Sequence, residues 1–201
     1  MPGSRQVSAI KRRIPRQARA TETVDVILEA AAQILEAGGL AAFTTNAVAE
    51  RAGVSIGTLY QYFANKDLVL VALAQQEMKL GLAEVARALQ GDPSVEGRVR
   101  GAVRAMVNGF RGRPRARKAV TQAILAQNLG LQMLAPVASF IAQQRDALAP
   151  ALTPEQLFVL SRSLAGTIRA AVMEEQSFLR SRAFEDEIVR LILAYLQALP
   201  R

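Results

Sequence analysis

The side chains best suited to recognition lie between Thr44 and Lys66, in the run TTNAVAERAGVSIGTLYQYFANK. At about 100° per residue, Gly57, Thr58 and Gln61 share one side of a helical wheel, flanked by Tyr60 and Tyr62. One glycine, two side-chain hydrogen-bonders and two phenols are poor core material. They suit a groove: glycine permits close backbone approach, Thr58 and Gln61 can reach base edges, and the phenols can meet phosphates. The same pattern also fits a partly exposed helical hairpin in any α-helical domain. Other chemistry is poorly supplied. The chain has no histidine and no cysteine, which removes the commonest general base, thiolate chemistry and sulfur-ligated metal. An enzyme would need paired carboxylates or an activated lysine. The acidic clusters are Glu174-Glu175 and Glu185-Asp186-Glu187, placed where surface-helix charges normally sit. The sequence therefore gives no catalytic site, metal site or cofactor.

Local signals position that face. Thr44 is an N-cap type ahead of Ala47-Val48-Ala49, and Gly53 sits where a helix ends in a left-handed residue. Ser55 caps the next helix, with Val54 and Leu59 spaced as a hydrophobic staple. The wheel puts Ile56, Leu59 and Phe63 on the buried side. The stretch is helix, tight turn, helix. Ahead of it, Val24, Ile27, Leu28, Ala31, Ile34 and Leu35 form the buried stripe of a helix from Thr23 to Ala37, stopped by Gly38-Gly39. Together these make one small three-helix domain.

The residues Ala52-Gly53-Val54-Ser55-x-Gly57-Thr58-Leu59-Tyr60-x-Tyr62-Phe63-x-x-Lys66 resemble the DNA-binding signature of TetR-type transcriptional regulators. Ile27-Leu28-x-Ala30-Ala31, Gly38 and Val48-Ala49 match the usual first and second helices, so the resemblance spans roughly Val24 to Leu73. It implies a sequence-specific DNA-binding regulator, a repressor released from a near-palindromic operator by a small-molecule effector. It implies DNA contacts at Thr45, Asn46, Ile56, Gly57, Thr58, Tyr60, Gln61, Tyr62 and Lys66. At Ile56 this conflicts with the wheel, unless a first-turn side chain projects past the helix end. It also implies that helices from about Leu68 onward form an effector pocket, and that the last two pair with a second subunit as a homodimer. Small residues such as Ser163, Ala165, Gly166 and Ala170 would allow close approach there.

The whole chain of 201 residues is 51% hydrophobic, with net charge +8 and pI near 10.7, which points to a polyanionic partner. Nucleic acid is the simplest choice, and an anionic membrane surface is the other. Neither a signal-peptide core nor a run approaching a membrane span is present, so a cytoplasmic protein is expected. Residues 1–22 form a basic arm: Met1 to Ala20 carries Arg5, Lys11, Arg12, Arg13, Arg16 and Arg19 without an acid. We expect it to be mobile in free solution and to contact DNA, with Arg16 and Arg19 nearest the domain of residues 23–66.

Residues 67–201 are expected to form a helical effector-binding and dimerisation domain. A long helix capped by Asn65 runs to Gln90 with Leu68, Ala72, Gln75, Met78, Leu82, Val85 and Leu89 on its inner face. Asp92-Pro93 opens the next, faced by Val99, Val103 and Val107. Arg111-Gly112-Arg113-Pro114 then looks like the core of a minor-groove hook, but also like a charged turn whose proline opens a helix. It lies in an acid-free block from Arg98 to Lys118, expected to be a solvated face, or less simply the mouth of an anionic-ligand site. Further helices are expected over 114–128, 133–148, 153–179 and 184–199. No strand pattern appears, so the fold is all-α. A second function consistent with the charge is an architectural DNA binder using the arm and Arg111–Arg117 without sequence preference.

Overall fold

The computed structural model describes residues 16–109, 112–126, 139, 143 and 152–199. Regular structure among them is entirely helical. Helix α1 spans Arg16–Ala42, α2 Thr45–Ala52, α3 Ile56–Tyr62, α4 Lys66–Gln90 and α5 Val95–Asn108. Then come α6 Pro114–Ala126, α7 Pro154–Met173, a 3₁₀ turn Ser177–Arg180, and α8 Arg182–Gln197. None of the described helices is long and apolar enough to cross a membrane.

Two cores share the described chain. The first buries Ile27, Leu28, Ala31 and Leu35 of α1 against Val48, Leu59, Phe63 and the first half of α4. Phe43, 1% exposed in the α1–α2 connection, fills its centre. The second packs Val99, Val103 and Val107 of α5 against Leu160, Ile168 and Val172 of α7 and Ile188, Val189 and Ile192 of α8. Helix α6 comes from the stretch assigned by sequence to the effector half. Yet its buried face, Ala116, Ala119, Val120, Ala123 and Ile124, joins the first core.

Several expectations need correction. Helix α1 begins seven residues before Thr23, so Arg16 and Arg19 lie on its first turns rather than in an unstructured arm. It also passes Gly38 and breaks at Gly39, whose φ of 62° is a left-handed conformation that glycine adopts without strain. On α4 the buried side begins one residue later than expected, at Val69, Leu70, Leu73 and Ala74, leaving Leu68 exposed. Of the expected stripe Val85 and Leu89 are buried, Ala72 is partly buried in the first core, and Met78 and Leu82 line a cavity. Leu68 and Gln75 are exposed, because the first half packs on α1 and α6 and the second half on α5.

Asp92 does not cap α5. Ser94 does, its Oγ accepting from Gly97 N at 2.9 Å, while Asp92 Oδ1 accepts from Ser94 N and Oγ. Helix α7 stops at Met173 instead of Leu179, and Glu175 takes a φ of 53° before the 3₁₀ turn. Its start follows the sequence signal, a capping box between Thr153 and Gln156 with Pro154 in the first turn. Of the expected helix over 133–148 only residues 139 and 143 are described, both helical, and residues 1–15 of the arm lie outside the described residues.

Candidate nucleic-acid interface

Caps and a glycine turn set the angle between α2 and α3. Thr44 Oγ1 accepts from Ala47 N at 3.1 Å to start α2. Gly53 ends it at φ 67°, ψ 27°, donating to the carbonyls of Ala49 and Glu50. Ser55 Oγ accepts from Thr58 N at 3.0 Å and bonds the Thr58 hydroxyl at 2.8 Å, which starts α3. Leu59, 0% exposed, and Phe63 then bury one side of α3 against α1 and α4.

The opposite side is open. Gly57 and Gln61 are exposed, Tyr60 is 51% exposed and Tyr62 38%. Ile56 is 38% exposed, so the wheel that buried it fails; as the first residue of α3 its side chain lies beyond the packed turn. A Cβ at Gly57 would meet only Ser55 Oγ, at 3.7 Å, so no internal contact demands glycine there. Asn46 and Lys66 are exposed, and Thr45 and Thr58 half-buried. Thr45 Oγ1 and Tyr60 OH share a hydrogen bond of 3.3 Å, which ties the start of α2 to the middle of α3. Arg19 is exposed on α1, and its carbonyl accepts from Thr23 Oγ1 at 2.8 Å. The structure thus brings the α2 and α3 positions onto one polar, nearly neutral surface.

The basic block beyond α4 behaves differently. Arg100 pairs with Asp186 and Glu96, Arg104 with Glu185, Lys118 with Glu175, and Arg117 with Glu77 at 3.8 Å. Arg98 Nη1 donates to the carbonyls of Asp92 and Pro93. Arg113 forks onto Glu29 of α1, donating to its two oxygens at 2.9 and 2.5 Å. The expected solvated face is therefore largely an inter-helix ion-pair seam. Sequence reasoning missed this because, Glu96 apart, the acids lie 40 to 86 residues away from their partners. With Arg113 committed to Glu29, the hook reading loses one of its arginines; Arg111 lies outside the described residues. The acidic clusters are tied up by the same pairing. Lys118 beside Glu175 and Arg100 beside Asp186 hold those carboxyls below their usual values, the opposite of what a general acid needs.

The seam reaches the recognition unit. Arg51 of α2 donates to Gln33 Oε1 at 3.2 Å, Gln33 donates to Glu29 at 2.8 Å, and Glu29 receives Arg113. About two turns beyond Glu29 on α1, Glu36 Oε2 accepts from the backbone N–H of Ala116 at 3.0 Å. Helix α6 is thereby fastened at its N-terminus to α1. Its other side lines a cavity of about 330 Å³ with Met78, Leu82, Val103, Leu164 and Ile168. No group of three His, Cys, Asp or Glu side chains that could hold a metal occurs among the described residues.

Comparison with known proteins agrees with this geometry. Residues 27–73 match the family described as bacterial regulatory proteins, tetR family. The HTH-type transcriptional repressor KstR of Rhodococcus jostii is 36% identical over an aligned part covering 33% of this chain and 41% of that protein. A TetR-family transcriptional regulator from Streptomyces coelicolor has the same fold, with TM-score 0.66 and 22% identity over 89% of this chain and 99% of its own. The TetR family repressor AlkX from Dietzia superposes with TM-score 0.68 at 16% identity, covering 88% of this chain and 98% of its own. The match to the Rhodococcus repressor thus falls well short of that protein's whole length, while the fold extends over nearly all of both solved structures. Residues 27–73 thus match the tetR family of bacterial regulatory proteins, and the chain as a whole shares the fold of TetR-family regulators of known structure.

Proposed function

We propose that the protein is a homodimeric transcriptional repressor that binds a near-palindromic operator through α3 and is released by a small-molecule effector with an apolar body. The observation that carries this is the two-sided character of α3, with Leu59 and Phe63 buried and Gly57, Tyr60, Gln61 and Tyr62 presented outward. Such a face reads base edges while phosphate contacts at its rim hold it in register. Two copies related by two-fold symmetry would set their recognition helices about 34 Å apart, one turn of the duplex.

The partner copy is supported by the outer side of α7 and α8. Phe158 is 60% exposed and Leu191 52%, and a Cβ added at Gly166 would meet nothing within 4 Å. Apolar side chains beside an unfilled small-residue position suit a helix-on-helix interface. The effector belongs in the α4–α7 cavity, and α6 carries its presence to α1, since one side of α6 lines the cavity and its N-terminus is held by Glu29 and Glu36. An effector shifts the operator equilibrium only by its differential affinity for the two conformers.

The test is footprinting on DNA flanking the protein's own coding sequence, with and without candidate apolar effectors. A protected near-palindrome whose protection disappears on adding effector is the expected result. Protection indifferent to sequence would favour the architectural reading, which the internal pairing of the Arg98–Lys118 block argues against.

A further inference from the structure

Two spaces meet at one ion pair. The apolar cavity has three charged residues in its lining: Glu77 of α4, Arg117 of α6 and Arg169 of α7. On the α1 side, a wide groove of about 1030 Å³ runs between α1, α4 and α5, with the polar residues Asp25, Glu29, Gln76 and Arg113 among its walls. Glu77, Gly81, Ala105, Gly109 and Arg117 line both spaces, so they form the seam between them. Gly81 is notable at this seam. It sits inside α4, where glycine costs roughly 0.5–1 kcal/mol relative to alanine, and a Cβ there would meet nothing within 4 Å. Packing does not require a glycine at that point, and its absent side chain keeps the seam wide.

Resting on the effector reading above, we propose that cavity and groove form one bipartite site for an amphipathic anion. Its apolar body occupies the cavity, and its anionic head sits at the seam on Arg117. The sign of the head follows from which member of the pair can yield. An arginine stays charged at any ordinary pH, whereas burial pushes the Glu77 carboxyl up and disfavours its charged form. An arriving anion displaces Glu77, or makes it take up a proton from solvent, and keeps Arg117 compensated. An arriving cation would instead compete with Arg117 for Glu77 and add positive charge to a half-buried wall that already holds two arginines, the costlier outcome. Arg169 adds a second positive charge to the lining, so the cavity side carries two arginines against one carboxylate.

The test is calorimetric titration of the full chain with three probes of one chain length: laurate, dodecanol and dodecyltrimethylammonium. Laurate is expected to bind about tenfold or more tightly than dodecanol, with the cation weakest. Arg117→Met should weaken laurate by about 10- to 100-fold, the scale of a charge-assisted hydrogen bond, and leave dodecanol within about threefold. Because removing Arg117 leaves Glu77 unpaired and could destabilise the fold, Glu77→Gln is the companion variant. It removes the competing carboxylate and should tighten laurate. Gly81→Phe should weaken laurate by plugging the seam while operator affinity stays near wild type. Equal affinities for laurate and dodecanol, unchanged laurate binding in Arg117→Met, weaker laurate binding in Glu77→Gln, or no binding of any probe overturns the proposal. Laurate that binds as described but never alters operator affinity leaves the site assignment standing and refutes the effector reading instead.

Discussion

Glu36 is expected to be a helix cap supplied from a distant helix, and its removal gives a decisive measurement. The first four N–H groups of a helix have no partner within it. In α6 the first helical position is Pro114, which has no N–H, and the residue before it, Arg113, is not a capping type. Ala116 is 0% exposed, so water cannot satisfy its N–H, and Glu36 Oε2 does so at 3.0 Å. Substituting Glu36 by Ala leaves that donor buried and unpaired, at about 1–3 kcal/mol. It also removes a negative charge from a helix N-terminus, a further 0.3–1 kcal/mol or so. Alanine's better helix propensity in α1 returns about half a kcal/mol at most. The net expectation is a loss of about 1–3 kcal/mol for Glu36→Ala. Glu36→Gln keeps an acceptor oxygen and loses only the charge, so about 0.3–1 kcal/mol is expected. Urea unfolding at one fixed protomer concentration measures both, since a dimer's apparent stability depends on concentration. Equal losses in the two variants, or a loss below about 0.5 kcal/mol for alanine, would falsify the cap assignment.

Other outcomes are equally specific. Gln61→Ala and Lys66→Ala should each lose about 1–3 kcal/mol of operator affinity with little change in melting temperature, because both side chains are exposed; electrophoretic mobility shift and thermal melts decide it. Arg113 and then Gln33 hold the Glu29 carboxyl below its usual value, so its contribution is full above the unfolded-state value near 4.3 and fades as pH falls through the lower folded value. Both partners are more than a third exposed, so Glu29→Gln should cost only about 0.2–1 kcal/mol at pH 7, and the difference from wild type should vanish in acid unfolding curves. Deleting residues 1–15, which carry four of the arm's six basic side chains, should flatten the slope of log affinity against log salt by about 0.9 for each phosphate that those side chains neutralise. It should weaken operator and random DNA alike, and an unchanged slope would make the arm a bystander.

Sequence reasoning succeeded where structure is set within a few residues. Thr44, Gly53, Ser55 and Asn65 act as the caps their types suggested, and the buried positions of α1 and α5 follow the helical period. It failed where a second element decides. The register of α4 changes midway because different helices cover its two halves, and a single period fitted across it buries the wrong residues at its start. Asp92 yields the cap to Ser94, two residues on, a choice between adjacent cap-forming side chains that no spacing rule settles. Ile56 was misplaced because wheel geometry presumes packed turns on both sides, and the first turn of α3 has one free end. The Glu29–Arg113 fork, 84 residues apart, had no local signature at all.

That last class of interaction also resolves where the protein's charge acts. Of the net +8, six positive charges lie in Met1 to Ala20, leaving +2 for the remaining chain. The other conspicuous basic stretch, Arg98 to Lys118, pairs much of its charge with carboxylates on α1, α4 and α8 and with Glu175 beyond α7. The stretch Thr44 to Lys66 holds only Glu50, Arg51 and Lys66 as charged residues, and Arg51 is turned toward Gln33. On the repressor reading, long-range attraction to a polyanion would therefore come mainly from the arm, and discrimination from the polar face of α3. Separating the two has a physical advantage. A neutral reading face gains little from phosphates on the wrong sequence, so its contribution to affinity depends on which bases it meets. One of the ion pairs that neutralise the second block, Arg113–Glu29, meanwhile joins the Ala116–Glu36 hydrogen bond in holding the start of α6 to α1, and on the same reading it is part of the linkage between cavity and recognition unit.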